Sequence, residues 1–352
     1  MEILRFAHHF FHFNLAAWHR ALAGSEPSWD FAKRLFLDPK LPRRSLRAKE
    51  PRCFEEAKIM HANLIAEEEA LGIRALATDH PAYPEALVRF VPPERQPALL
   101  YLRGLDLPDE TRLVGIVGTR SPSAGGRDAA HSFAAYLGAL GIRVASGLAR
   151  GIDTIAHEES LGLGTVAVLG AEVARVYPEE NQDLAERIVA AGGTLVSPFP
   201  VGQVPLPQNF PERNELIAAL SAGVIVVEGA EKSGAAITGR QALAMGKGVV
   251  ALTQDFRSSY GRGAIRLQQD GAVLVTCEEE AVEAVFRRLG GFGGPLPSPT
   301  KARAGRAFTF ADFQRASGLG VSEALAALEE GILQGRIARW GSKFRLTGKG
   351  GS

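Results

Sequence analysis

The chain has 352 residues, of which 46% are hydrophobic and 22% charged; this is ample material for a folded core and excludes a disordered or fibrous chain. That length predicts two or three domains, read here as one large domain with small appendages. With 40 Lys and Arg against 39 Asp and Glu the formal net charge is +1, so any polyanion site has to come from local clustering.

Residues 1–75 carry apolar residues at helical spacing: Phe10, Phe13, Leu15, Trp18 and Leu22, then Phe31, Leu35 and Phe36, then the segment from Phe54 to Leu71. Pro39, Pro42 and Pro51 punctuate the gaps, so a small helical domain is expected over 1–75. His8, His9, His12 and His19 lack Cys or acidic partners at fixed spacing and read as histidines of amphipathic helices, with no metal expected. These histidines also break the apolar opening, unlike a signal peptide, and no stretch is long enough to span a membrane. The two cysteines, Cys53 and Cys277, stand in no redox or metal-ligand spacing. A cytoplasmic location is expected.

From Ile73 to Gly104 repeated prolines forbid a continuing helix, and the segment reads as a linker with a strand at Ala98–Leu102. A regular alternation then runs to about residue 288. Strands are predicted at Leu113–Val117, Arg143–Ser146, Thr165–Leu169, Thr194–Ser197, Val224–Glu228, Val249–Leu252 and Ala272–Val275. Helices are predicted between them, including Gly126–Leu140, Asn181–Ala191, Glu212–Leu220 and Ala235–Met245. Short Val/Ile/Leu runs alternating with helices predict a doubly wound, mostly parallel α/β sheet over 76–288. Residues 289–307 read as a flexible basic linker. Residues 308–352 read as two helices, Ala311–Ser317 and Ser322–Gln334, and a hairpin turning at Gly341-Ser342, a winged-helix pattern.

Several predicted strands end in small residues next to a cation. Gly118-Thr119-Arg120 follows the first strand of the alternation and precedes a helix, so backbone N–H groups and Arg120 are expected to meet an anion there. It is not the three-glycine dinucleotide motif. Ser146-Gly147-Leu-Ala-Arg150-Gly151 repeats the device at the next strand. Asp153 and His157, four apart, read as a helix cap and a histidine packed on the sheet in preference to an acid–base pair or metal ligands. Arg213 and Asn214 fall in the first turn of a helix, where a positive side chain is disfavoured unless an anion shares the site. Phe210, expected in the loop before that helix, reads equally as a base-stacking ring or a loop anchor. Lys232-Ser233-Gly234 forms the last such loop. No Ser-His-Asp order or paired carboxylates appear, so binding without catalysis is expected, with no cofactor and no metal.

These ordered motifs resemble the DNA-processing protein A (DprA/Smf) family of natural transformation. The match runs through Gly118-Thr119-Arg120, Ser146 to Asp153 with His157, Val168-Leu169-Gly170, Tyr177-Pro178 with Asn181, Phe210-Pro211, Arg213-Asn214, Leu220-Ser221 and Ser233-Gly234 with Thr238. The resemblance implies an extended Rossmann-like sheet, a SAM-like N-terminal domain and a winged-helix tail. It further implies a cytoplasmic homodimer that binds and protects single-stranded DNA and helps load the recombinase RecA, and that is not an enzyme. Carried over by motif, Gly118, Thr119, Arg120, Ser146, Gly147 and Arg150 would hold backbone phosphate, and Phe210 would lie against bases.

The chain departs from the family's usual pattern at Ala171–Arg175, at Glu179-Glu180, at Pro207, where a lysine sometimes stands, and at Thr253-Gln254. A second reading is a nucleotide phosphoribohydrolase of the lysine-decarboxylase-like group. Its Pro-Gly-Gly-x-Gly-Thr-x-x-Glu loop is not matched by Lys232-Ser-Gly-Ala-Ala-Ile-Thr238, which lacks the glutamate. From Thr300 onward the chain has nine Lys and Arg against four Asp and Glu, yet Ser322–Gln334 contains Glu323, Glu329 and Glu330 and no cation. Duplex readout by that helix is therefore not expected; Arg339, Lys343 and Arg345 on the wing are expected to meet phosphates, or the tail to meet a protein.

Overall fold

The computed structural model describes residues 1–11, 14–22, 26–41, 43–252 and 259–286, together with three short strands near the C-terminus. Two compact units divide the chain, Met1–Gly293 and Gly294–Ser352.

The first unit opens with helices α1 (Glu2–Phe10), α2 (Leu15–Leu22), α3 (Trp29–Leu37) and α4 (Phe54–Ala70). Phe6, Phe10, Phe31, Phe36 and Phe54 bury their rings in a shared apolar cluster that also takes in Ala98. His8 and His9, expected on an amphipathic surface, are buried as well. His9 Nδ1 lies 2.9 Å from His61 Nδ1, and its Nε2 lies 3.0 Å from Glu68 Oε1. The acidic partner missing from the local sequence comes from α4, and Arg5 also pairs with Glu68. Burial pushes His61 down to about 3. Among the described residues no group of His, Cys, Asp and Glu could hold a metal ion.

An eight-stranded sheet follows in the order β1-β2-β6-β5-β4-β3-β7-β8. Its strands are β1 (Ile73–Ala77), β2 (Leu99–Gly104), β3 (Leu113–Gly118), β4 (Arg143–Ser146), β5 (Val166–Val168), β6 (Thr194–Ser197), β7 (Gly223–Val227) and β8 (Gly248–Leu252). Strands β3 to β8 pair in parallel, whereas β2 runs antiparallel to β6 and to β1. Helices α5 (Glu85–Phe90), α6 (Ala124–Ala139), α7 (Ile152–Ser160), α8 (Gln182–Ala190), α9 (Asn209–Leu220), α10 (Gly234–Ala244), α11 (Ser259–Gln269) and α12 (Glu278–Phe286) complete the unit. Leu100 and Leu102 of β2 enter one core with Leu216 and Ile217 of α9, while Leu99 and Tyr101 enter another with Leu184 and Ile188 of α8. Alternation along the strand thus fills both faces of the sheet, as a doubly wound fold requires.

Two strand expectations change. β1 lies in the stretch read as a linker; its five residues are too short to stand out, and it forms only by pairing with β2. Ala272–Val275 is reduced to one bridge, Val273 to Val250, just after Gly271, whose φ of 114° turns the chain. Among the described residues no helix is long and apolar enough to cross a membrane.

In the second unit β9 (Ala307–Phe308), β10 (Ile337–Trp340) and β11 (Lys343–Leu346) form a small antiparallel sheet. Trp340 pairs with Lys343, which places Arg339 on β10 and Lys343 and Arg345 on β11. The linker at 289–306, both predicted helices over 311–334, the turn at Gly341-Ser342, and His12, Phe13 and Thr253-Gln254 lie outside the described residues.

Candidate nucleic-acid interface

Strands β4, β5 and β6 lie on one side of β3, and β7 and β8 on the other, so the strand order reverses between β3 and β7. Open parallel sheets form their ligand crevice at the carboxyl ends of such a pair. A cleft of about 220 Å³ occupies this place. It brings together Gly118 at the end of β3 with Thr119 and Arg120 just after it, Phe210, Arg213 and Asn214 from α9, and Ser233 and Gly234 from the start of α10. Ser146, Gly147, Arg150, Gly151 and Lys232 stand around it without lining it.

The carboxyl end of β3 is not open to an anion in the way the sequence implies. Helix α6 begins several residues after Arg120, and its N-terminus is already occupied. Glu228, at the end of β7, accepts a hydrogen bond from Ser123 N–H at 3.0 Å and another from the Ser123 hydroxyl. The Ser123 oxygen in turn accepts from Gly126 N–H at 3.0 Å, capping the helix. Glu228 has a φ of 56°, an unfavourable backbone for a side chain of its size, which aims the carboxylate at the helix.

The second loop is filled in a similar way. Asp153 does not cap its own helix, whose N-cap is Gly151 with φ of 77°. Its carboxylate turns back and accepts from Gly147 N–H at 3.1 Å and Ala149 N–H at 3.4 Å. Burial raises the Asp153 carboxyl above its usual range, against the opposing pull of Arg213. His157 packs beneath the sheet edge with Nδ1 2.9 Å from Thr165 Oγ1, and burial lowers it to about 3. The structure thus assigns both residues to the scaffold.

Arg213 is likewise a strut. It is 5% exposed and donates to the carbonyl oxygens of Gly147 and, at 2.6 Å, Val168. Gly147 leaves room for it, since a Cβ there would sit 2.4 Å from the guanidinium. The anion that the sequence demands beside Arg213 is therefore Asp153, together with two carbonyls. Asn214 donates to Gly234 O at 3.2 Å, tying α9 to the start of α10. Ser146 is fully buried, its hydroxyl donating to Ile116 O at 2.6 Å. Gly118 packs where a Cβ would collide with Val227 O at 2.1 Å.

What remains accessible forms a band along the edge. Arg120 is exposed on the loop just after β3, Lys232 on the turn before α10 and Gly234 at the first position of that helix. Ser233 caps α10 through Ala236 N–H at 3.2 Å, and the helix cannot itself satisfy the first amides, those of Gly234 and Ala235. Phe210 is not in a loop but is the second residue of α9; Pro211 is accommodated because first-turn N–H groups need no helical acceptor. Its ring is half-buried, seated against Gly170, 5.6 Å from the Tyr177 ring and 5.9 Å from the Arg213 guanidinium. Arg150 is exposed and forked onto Glu180, with contacts of 2.5 and 2.6 Å. Among the described residues Arg120 has no comparable carboxylate partner.

Residues 74–286, the sheet and all its edge loops, match the profile of the family described as DNA recombination-mediator protein A. The chain belongs to this family. Protein Smf of Escherichia coli is 40% identical over 172 residues, 48% of this chain and 46% of that protein. The DNA processing protein DprA of Bacillus subtilis is 36% identical over 220 residues, 62% of this chain and 73% of that protein. The match thus spans about half the length of the Escherichia coli relative. The crystal structure of DNA processing protein A from Streptococcus pneumoniae superimposes with a TM-score of 0.60 at 25% identity, covering 80% of this chain and 96% of that one. Its Helicobacter pylori counterpart, whose structure concerns a single-stranded DNA binding mode, gives a TM-score of 0.52 at 26% identity, covering 59% and 93%. The resemblance carried by the motifs from Gly118 to Thr238 is thus a family relationship, and its implied Rossmann-like fold is the one observed.

Glu228, Asp153 and Tyr177 complete the edge in ways the motifs did not reveal. Glu228 meets Ser123 and Tyr177 meets Phe210 across long stretches of chain, whereas Asp153 meets Gly147 and Ala149 within its own loop; the local signal at Glu228 was an acidic residue ending an apolar strand.

Proposed function

We propose that this chain is a single-stranded DNA-binding protein of natural transformation, holding the sugar–phosphate backbone along the carboxyl edge of its sheet. The observation that carries this reading is the band of Arg120, Lys232 and the first amides of α10 around a half-buried phenylalanine, Phe210. Cations spread over neighbouring strand ends suit a polymer of phosphates, and an accessible ring suits unpaired bases. Membership of the recombination-mediator family and the binding mode studied in the Helicobacter pylori protein support the same reading.

In this reading the protein acts as a cytoplasmic homodimer that shields incoming DNA and helps load RecA, without catalysing a reaction itself. Its N-terminal helices form a SAM-like domain, and its tail is a winged helix that offers Arg339, Lys343 and Arg345 to phosphates or docks a protein. Gly118, Thr119, Ser146, Gly147, Gly151, Arg213 and Asn214 shape the edge, while Arg120, Arg150, Lys232, Ser233, Gly234 and Phe210 meet the strand.

A titration of single-stranded against duplex DNA over a range of salt tests the proposal. Preference for the single strand is expected, with affinity falling linearly on a log–log salt plot as counterions are released. Equal affinity for both forms, or indifference to salt, would overturn it.

A further inference from the structure

Resting on the single-strand reading above, we infer that Tyr177 is a second base-stacking residue, extending the DNA track from the β3–β7 cleft to the end of β5. The loop after β5 buries Ala171, Val173, Ala174 and Val176, each at most 8% exposed, whereas Tyr177 stands 48% exposed. Among the residues whose side chains are described, it is the only exposed Phe, Tyr or Trp ring. The buried neighbours hold the loop in place, so the ring is presented and not merely left over.

Tyr177 also stands in the right company. One edge leans on Phe210, with centroids 5.6 Å apart and planes at 57°. The two rings form a stepped aromatic surface, and the tilt lets each offer its own face. Arg150 projects beside this surface from the β4 loop, held by Glu180 three residues after Tyr177. From β3 to β5 is two strand spacings, roughly 10 Å. At about 3.4 Å per stacked nucleotide that is room for about three nucleotides. A strand anchored at Arg120 and Phe210 therefore reaches Tyr177 with its next bases, with a phosphate passing Arg150.

The test uses the full chain and a ladder of oligo-dT lengths, comparing Tyr177→Ala and Tyr177→Phe with Arg120→Ala. The exposed position keeps the variants folded, which circular dichroism verifies. Tyr177→Ala is expected to lose roughly tenfold in affinity on long oligomers and to match the unsubstituted chain on those too short to reach from Arg120 to Tyr177. Tyr177→Phe is expected to bind as the unsubstituted chain does, because stacking needs the ring and not the hydroxyl. Tyr177→Trp adds a direct readout, a tryptophan emission quenched by oligo-dT. Arg120→Ala weakened while Tyr177→Ala is unchanged at every length overturns this inference alone. No binding of single strands by the unsubstituted chain overturns the reading beneath it as well.

Discussion

The Glu228 carboxylate holds the N-terminus of α6 through the Ser123 amide and hydroxyl, across 105 residues of sequence. It is an internal anion placed where the first strand-end loop was expected to receive phosphate. Glu228→Ala is expected to lower the unfolding free energy by about 1–3 kcal/mol, through loss of hydrogen bonds to a charged group. Affinity for single-stranded DNA should not fall. Chemical denaturation beside a binding titration checks both; a loss of affinity at unchanged stability would place the carboxylate in the binding surface.

Arg120 and Arg213 line one cleft yet should respond in opposite ways. Arg120→Ala removes an exposed cation, leaves the fold intact and reduces single-strand affinity roughly tenfold. Arg213→Ala strips two buried carbonyls of their donor and leaves the buried Asp153 without its counter-charge. A stability loss of about 3–5 kcal/mol is expected. Thermal melts and binding isotherms on the two variants separate finger from strut, and a stable Arg213→Ala protein with selectively weakened binding would reverse the assignment.

Arg150 and Glu180 are a solvent-exposed pair, and exposed pairs are weak and readily exchanged. Glu180→Gln should free Arg150 for phosphate, raising affinity by about two- to fivefold at low salt and steepening the salt dependence. An unchanged salt slope in the same titration would show that Arg150 does not reach the strand.

Acid should destabilise this fold through histidines. His61 and His157 are held near 3 by burial, while an unfolded histidine titrates near 6.5. Between those values the unfolded chain binds protons that the folded chain refuses, so stability falls as pH drops below 6.5. Each contributes a loss of about 2 kcal/mol from pH 7 to pH 5. Asp153, raised by burial, works in the reverse sense and only above its unfolded value near 3.8. Melting curves of the parent chain and of His157→Gln at the two pH values give the comparison; the variant should show the shallower decline.

The parallel strands were legible because Val, Ile and Leu runs such as Leu113–Val117 and Val224–Val227 are buried on both faces and need no partner to be recognised. β1 was not, because Ile73-Arg-Ala-Leu-Ala acquires its identity from the antiparallel partner beside it. At the site, sequence located the loops after β3 and β4 but not the direction of their polar groups, and it put Phe210 in a loop where the chain has begun α9. A cation in the first turn of α9 does require an anion, and the rule held; that the anion is Asp153 is a tertiary fact. Likewise nothing near His9 announces Glu68, which lies 59 residues further along the chain in α4.

Asp153 and Glu228 matter in one more respect, the competition a DNA-binding surface faces from small metabolites. A free nucleotide presents its charge as one compact cluster and would be drawn to a compact nest of amides. Here the amides of Gly147 and Ala149, and that of Ser123, are already spoken for by the protein's own carboxylates. What remains unclaimed is Arg120, Lys232 and the first amides of α10, of which a mononucleotide can engage only a part. A long strand touches several at once and gains from each. Under the proposed reading the edge is thereby biased towards polymer over the free nucleotide.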